Sequence, residues 1–151
     1  MKHERRGLSL SGTGSYFIAV GGYTRLQNLN VVEDYLVCTN KWKSLPSLNT
    51  ARILPTSCVL PSKQAFVFCG SLGAGNYLNQ IEKMHLGFEA EWTKLTNIVS
   101  KNCHLSAVSF NGNIVLFGGA RKYERNMHIL DEEGEVIADL SQDRAIPGCM
   151  N

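Results

Sequence analysis

Four histidines, five cysteines and two acidic turns are the groups in this sequence equipped to do chemistry. A metal site needs such groups at ligand spacing, a nucleophile needs a neighbouring base, and an acid/base couple needs two facing carboxyls. The histidines stand at 3, 85, 104 and 128. His85 and His128 sit in like surroundings, Met84-His85-Leu86 and Met127-His128-Ile129. That predicts a structural slot used twice, not a metal pair. The cysteines, at 38, 58, 69, 103 and 149, are odd in number, widely spaced and without a C-x-x-C. Reduced, partly buried thiols of a cytoplasmic protein fit this pattern better than a disulfide frame or a zinc site. Asp131-Glu132-Glu133 and the Glu89/Glu91 pair read as solvated turns. Gly70-x-x-Gly73-x-Gly75 lacks the Lys-Ser/Thr and the helix of a phosphate loop. Ser57, Ser106 and Ser109 fall in strand-like runs with no base beside them, and no G-x-S-x-G elbow is present. No catalytic residue, metal or cofactor is expected, and the chain reads as a non-enzyme.

The elements that would position any site carry more information. Three apolar runs end in a glycine turn: Phe17-Ile18-Ala19-Val20-Gly21-Gly22, Ala65-Phe66-Val67-Phe68-Cys69-Gly70, and Ile114-Val115-Leu116-Phe117-Gly118-Gly119. The second glycines stand at 22, 70 and 119, so the steps are 48 (70 − 22) and 49 (119 − 70). A fixed period in this range marks a repeat architecture, whose units bury their apolar faces only by stacking.

Composition permits such a core. At 44% hydrophobic and 19% charged, the 151 residues can pay the entropy of folding. A net charge of +2 is too small to argue for nucleic acid or an anionic membrane. No apolar run has the ~18 residues of a membrane span. The charged start leads into Gly7-Leu8-Ser9-Leu10-Ser11-Gly12, which has no continuous apolar core of the signal-peptide kind. The one basic cluster, Lys2-His3-Glu4-Arg5-Arg6, is interrupted by an acid and reads as a flexible, solvated terminus.

Each period resolves into short strands and turns. In the middle unit Thr56 to Leu60, Ala65 to Phe68, Ile81 to Leu86 and Glu91 to Leu95 read as four strands of a meander. The third unit repeats this with His104 to Phe110, Ile114 to Phe117, Arg125 to Leu130 and Glu135 to Leu140; its Asn111-Gly112 is a hairpin-turn pair. The first has Tyr16 to Val20, Val31 to Cys38 and Lys41 to Leu45, with Gly7 to Ser11 as the candidate opening strand. One four-stranded meander per period is a propeller blade.

These residues resemble kelch repeats. The family pattern is a hydrophobic strand, a glycine pair, then an aromatic and a tryptophan with six residues between them. Gly21, Gly22, Tyr35 and Trp42 match it in full. The second unit has Cys69-Gly70 at the glycine pair, His85 at the aromatic position, and Trp92. The third has Gly118, Gly119 and His128, and no tryptophan; the corresponding place is near Glu135 or Val136. The resemblance spans roughly residues 15 to 140 and implies an all-β fold, a partial kelch-type β-propeller of about three four-stranded antiparallel blades. The divisions are an N-terminal segment over 1–14 that can add an edge strand, repeats over 15–55, 56–102 and 103–145, and a tail over 146–151. Trp42 and Trp92 are expected to wedge between blades as large flat groups.

The resemblance also implies a protein-binding scaffold. Kelch domains often bind partner peptides; many serve cullin ubiquitin ligases through a separate BTB domain, of which no segment is visible here, and others bind actin. Loops after the glycine pairs are the candidate recognition surface, with Tyr23, Arg25, Tyr77, Arg121 and Tyr123 as binding residues. The competing reading for the tyrosines is that they fold back on blade edges. The alternative function is a small-molecule-binding or enzymatic propeller using the central channel. Some kelch-like propellers are copper enzymes, but their tyrosine/histidine set cannot be assembled here. Three units make half of a usual ring, so self-association, further blades in a longer chain, or an open arc are the alternatives.

Overall fold

The computed structural model of the chain describes residues 1–87, 91–95, 102–119 and 127–139. Among these, the strands are β1 (Ser9–Thr13), β2 (Tyr16–Val20), β3 (Val32–Leu36), β4 (Lys41–Leu45), β5 (Thr56–Val59), β6 (Gln64–Phe68), β7 (Ile81–His85), β8 (Thr93–Leu95), β9 (Leu105–Phe110), β10 (Asn113–Gly118), β11 (Met127–Leu130) and β12 (Val136–Asp139). They form three four-stranded antiparallel sheets, each in chain order, as the sequence predicts. The segment 1–14 supplies β1, an edge strand of the first sheet.

Turn chemistry explains the meanders. Asn111 and Gly112, at φ 48° and 79°, make the tight β9–β10 turn that the pair predicts. Asn40, at φ 53°, caps a single 3-10 turn over Val37–Thr39. That turn stops β3 at Leu36, short of the expected Cys38.

The sheets fan out like blades from a hub. Their first strands touch, β1 against β5 and β5 against β9. At the hub the Ser57 hydroxyl meets those of Ser9 and Ser11, each at 2.8 Å. Thr56 Oγ1 donates to the Leu105 carbonyl at 2.6 Å. Ser57, one of the strand serines, thus spends its hydroxyl on the hub.

Period-two alternation gives each sheet two faces. Ile18, Val20 and Val32 of blade 1 meet Val59, Ala65, Val67, Met84 and Trp92 of blade 2. Phe66, Phe68 and Ile81 of blade 2 then meet Ile114, Leu116 and Leu130 of blade 3. Both clusters are closed to water. The continuous apolar run of β6 is needed because this strand is covered on both faces, whereas blade 2 covers only the Ile18/Val20 face of β2.

Trp92 is the wedge predicted, 4% exposed, with Nε1 donating to the Pro46 carbonyl of blade 1 at 2.9 Å. Trp42 differs. It lies on the face of blade 1 that no other described sheet covers, half-buried, its ring 5.1 Å from Tyr35.

Register corrects two other expectations. Val20, Phe68 and Phe117 pair with Val32, Ile81 and Met127, so these are equivalent positions. Counting on, Tyr35 corresponds to Met84 and Leu130, not to His85 and His128. The spacing from Met84 to Trp92 is 8 against 7 from Tyr35 to Trp42 (92 − 84; 42 − 35). Counting back seven therefore lands one residue off, on the opposite face. His128 instead takes the position of Glu33 and Glu82, and Val136, opposite Leu130, takes that of Trp42.

Those two glutamates hold the interblade linkers. Glu82 is fully buried and pairs with the Arg52 guanidinium. It also accepts from Asn49 N at 2.7 Å and Asn49 Nδ2 at 2.9 Å. Arg52 Nη1 donates onward to the Cys69 and Gln80 carbonyls, at 2.9 and 3.2 Å. Burial pulls the Arg52 pKa below its ordinary value while Glu82 pushes it back up, and the guanidinium stays charged.

Residues 2–8 repeat this device on blade 1. Arg5 pairs with Glu33, both side chains fully buried. Arg5 Nη1 donates to the Gly21 and Val31 carbonyls at 3.1 and 2.7 Å, and Lys2 N donates to Glu33 at 2.7 Å. The basic cluster is thus not the solvated terminus that its composition predicts. Its arginine neutralises a buried carboxylate that would otherwise be stranded.

Breaking a buried pair from one side leaves an uncompensated charge. Arg52→Met should lower the unfolding free energy by ~3–5 kcal/mol, and Arg52→Met with Glu82→Leu by clearly less. Urea unfolding of the two variants checks this; equal losses would mean that the charge pair is not what fastens the linker.

Candidate functional site

The loops after the glycine pairs of blades 1 and 2 leave the same end of the sheets and meet there. In the first, Tyr23 pairs through its backbone with Arg6, at 3.1 and 2.9 Å. Thr24 Oγ1 accepts from Leu26 N and Gln27 N, both at 3.2 Å, which closes a tight turn. The turn carries Leu26 at its tip, 94% exposed, beside exposed Arg25. In the second, Leu72 N donates to Asn76 O at 2.9 Å, and Gly73 N to Ser71 Oγ at 2.9 Å. Leu72 is exposed there too. Asn28 Nδ2 donates to the Leu72 carbonyl at 2.8 Å, so the two loops form one surface.

The predicted binding residues fall unevenly on it. Arg25 projects to solvent. Tyr23 and Tyr77 are half-buried. Tyr23 folds back on the linker, with the Arg6 guanidinium 5.2 Å from its ring centre. Arg121 and Tyr123 lie outside the described residues. The surface holds a hollow of about 810 Å³ lined by Glu4, Arg6, Tyr23, Arg25 and Gln27. A second, of about 430 Å³, is lined by Leu72, Asn76, Tyr77 and Gln80.

Leu26, Leu72 and Asn28 were not legible as site residues, because nothing in a loop sequence says which loops touch. The Arg5–Glu33 and Arg52–Glu82 pairs had a signal. The arginines are 47 apart (52 − 5) and the glutamates 49 (82 − 33), matching the glycine period.

The opposite end has a smaller cleft between blades 1 and 2, about 200 Å³, lined by Tyr16, Asp34, Lys43 and Lys63. Burial raises the Asp34 carboxyl above its ordinary range, against the pull of Lys43. Burial and then Asp34 raise the Tyr16 hydroxyl.

Close backbone approach explains the glycine pairs beneath the loops. A Cβ on Gly22, at φ 96°, would sit 2.7 Å from the Arg6 carbonyl, and one on Gly21 2.7 Å from that of Arg52. Gly70 faces Ile53 in the same way at 2.9 Å, and Gly119 abuts the Asn102 side chain. The linker passes over the second residue of each pair too closely for any side chain. A family model for the Kelch motif matches residues 4–49, which hold all four strands of blade 1. Blade 1 thus carries a kelch motif, and the two later sheets repeat its four-stranded antiparallel layout. The chain matches no curated protein.

The blades bury Cys58, Cys69 and Cys103. Among the described residues no three His, Cys, Asp or Glu side chains lie together as metal ligands would. His128 Nδ1 lies 3.5 Å from Asp139 on the outer strands of blade 3, and His85 sits on blade 2. The Cys58 thiol is pushed up to about 11 by burial. Cys69, whose φ of 51° fills the place of Gly21, is pushed up to about 12, by burial above all. Cys38 is exposed, and Cys38, Cys58, Cys69 and Cys103 form no disulfide. No helix among the described residues is long and apolar enough to cross a membrane.

Two outcomes follow. With a thiol-disulfide reagent at pH 8, Cys38 should react in the native protein, while Cys58 and Cys69 react only after unfolding, because the protonated thiol is inert; peptide mapping of labelled sites checks it. The second concerns Glu33. Burial raises its pKa, but Lys2 N–H, Arg5 and His3 together hold it below the ordinary value of 4.5. A depressed folded-state pKa stabilises above the unfolded value and is lost as pH falls through the folded one. The melting-temperature advantage of the wild type over Glu33→Gln should therefore be full at pH 7 and shrink below about pH 4.5.

Proposed function

We propose that the chain is a non-catalytic protein-interaction module that recognises a partner through the joined loops of blades 1 and 2. The observation that carries this reading is the Asn28–Leu72 hydrogen bond, which fuses two loops into a single surface. Interaction surfaces favour apolar and Arg/Tyr groups on a rigid support. Leu26 and Leu72 are apolar groups held out in water, Arg25 is exposed beside Leu26, and closed cores fix the loop bases. The hollows are broad and open, which suits a peptide better than an enclosed small molecule. High pKa values at Cys58 and Cys69 argue against thiol catalysis. Cysteines that form no disulfide support a reducing compartment, hence the cytoplasm.

Leu26→Asp with Arg25→Ala and Tyr77→Ala tests the reading. Cross-linking with mass spectrometry should lose its partners by roughly tenfold or more in this variant, with the melting temperature nearly unchanged. Retention of every partner, together with a melting-temperature rise on adding a small ligand, would favour the central channel instead.

A further inference from the structure

Both junctions between blades are built from the same two halves. The forward half is one face of a sheet together with its glycine pair. The backward half is the other face of the next sheet and its linker. The linker residue that follows the pair by function is Arg52 at the first junction, where its carbonyl accepts from Gly22 N at 2.9 Å. At the second it is Asn102, accepting from Gly70 N at 3.0 Å.

Two halves have no counterpart among the described residues. One is the forward face of blade 3. Phe117 is 44% exposed there, whereas its equivalents Val20 and Phe68 are at 0%. Val108 and Phe110, on the same face, are 47% and 64% exposed. Nothing lies within 4 Å of the Cβ position of Gly118, where the equivalent Gly21 meets the Arg52 carbonyl. The other is the backward face of blade 1. Phe17 is 41% exposed against 0% for Ala65 and Ile114, and Leu10 is 61% exposed. Half-buried Trp42 stands where Trp92 is wedged. Arg5 holds the place of Arg52 and Asn102, with its linker already folded in the shape that spans a junction.

We propose that a second copy of this chain fills both gaps. The forward face of blade 3 docks on the backward face of blade 1 of the other copy, and the reciprocal contact closes the ring. The occupant is a copy because the open halves are the two sides of a junction the chain already builds twice. Exposed apolar sheet faces of this kind are interaction surfaces, and head-to-tail contacts close when the rotation allows. Two copies give six blades, within the ~4–8 that close a propeller, whereas three would give nine.

Sedimentation velocity from about 1 to about 100 μM tests it. The chain should run at twice its monomer mass as concentration rises. Leu10→Asp and Phe110→Asp, both exposed in the single chain, should each weaken association roughly tenfold or more without changing the circular-dichroism melt of the dilute protein. Mixing the two variants should restore association in part, since one junction of the mixed pair has both faces intact. A wild type that stays monomeric throughout would overturn the proposal and leave the ends to blades or partners from elsewhere. Loss through only one of the two substitutions would also overturn it, because like ends would then be pairing. So would a dimer indifferent to both.

Discussion

A buried arginine–glutamate pair fixes where the linkers onto blades 1 and 2 run. Arg52 lies between two sheets: its carbonyl takes Gly22 N–H of blade 1, and its guanidinium takes Glu82 and two carbonyls of blade 2. Hydrophobic faces alone would hold two sheets together at many offsets, since dispersion and burial are not directional. A charge pair in a dry setting is directional and intolerant of displacement. The pair therefore supplies register, while Trp92, Met84 and the apolar strands supply most of the free energy. Asn49 extends the hold, reaching from Glu82 to the Trp92 carbonyl at 2.6 Å.

The glycine pairs are the cost of this arrangement. A linker pressed onto the turn leaves no room for a Cβ at Gly22 or Gly119. The position before is crowded at Gly21 but admits a side chain in blade 2. Cys69 occupies it with a left-handed φ, its N–H donating to the Gln80 carbonyl at 3.0 Å just as Gly21 donates to Val31. A small side chain there gives up the freedom of glycine and gains burial in the blade 2–blade 3 core.

Strands, turns and glycine pairs were legible because they depend on local periodicity. Asn111-Gly112 names its own turn, and β2 and β6 are apolar enough to need cover on both sides. What sequence spacing could not supply was pairing across a turn of varying length. One extra residue before Trp92 shifted the aromatic position from Met84 to His85 and reversed its face. Likewise Arg5 looked like solvent-facing charge because its neutralising partner, Glu33, stands 28 residues away in a strand that otherwise reads as unremarkable polar sequence. The loop surface was legible only by position. That Leu26 projects while Tyr23 folds back follows from the Thr24 turn and the Arg6 bridge, neither of which has a periodic signature.

Blade 3 shows how such a device can be replaced. There Asn102 stands in the place of Arg5 and Arg52, and His128 in that of Glu33 and Glu82. Both members of the pair change together. The energetics require it. An arginine without its glutamate, or the reverse, strands a buried charge at several kcal/mol, whereas an asparagine brings no charge to strand. Asn102 keeps the one function the linker cannot lose, the carbonyl that takes Gly70 N–H, and turns its own side chain to Cys103 N at 2.9 Å. The backbone contact is thus the constant part of the junction, and the charge pair is the variable part, present where the linker must also be aimed.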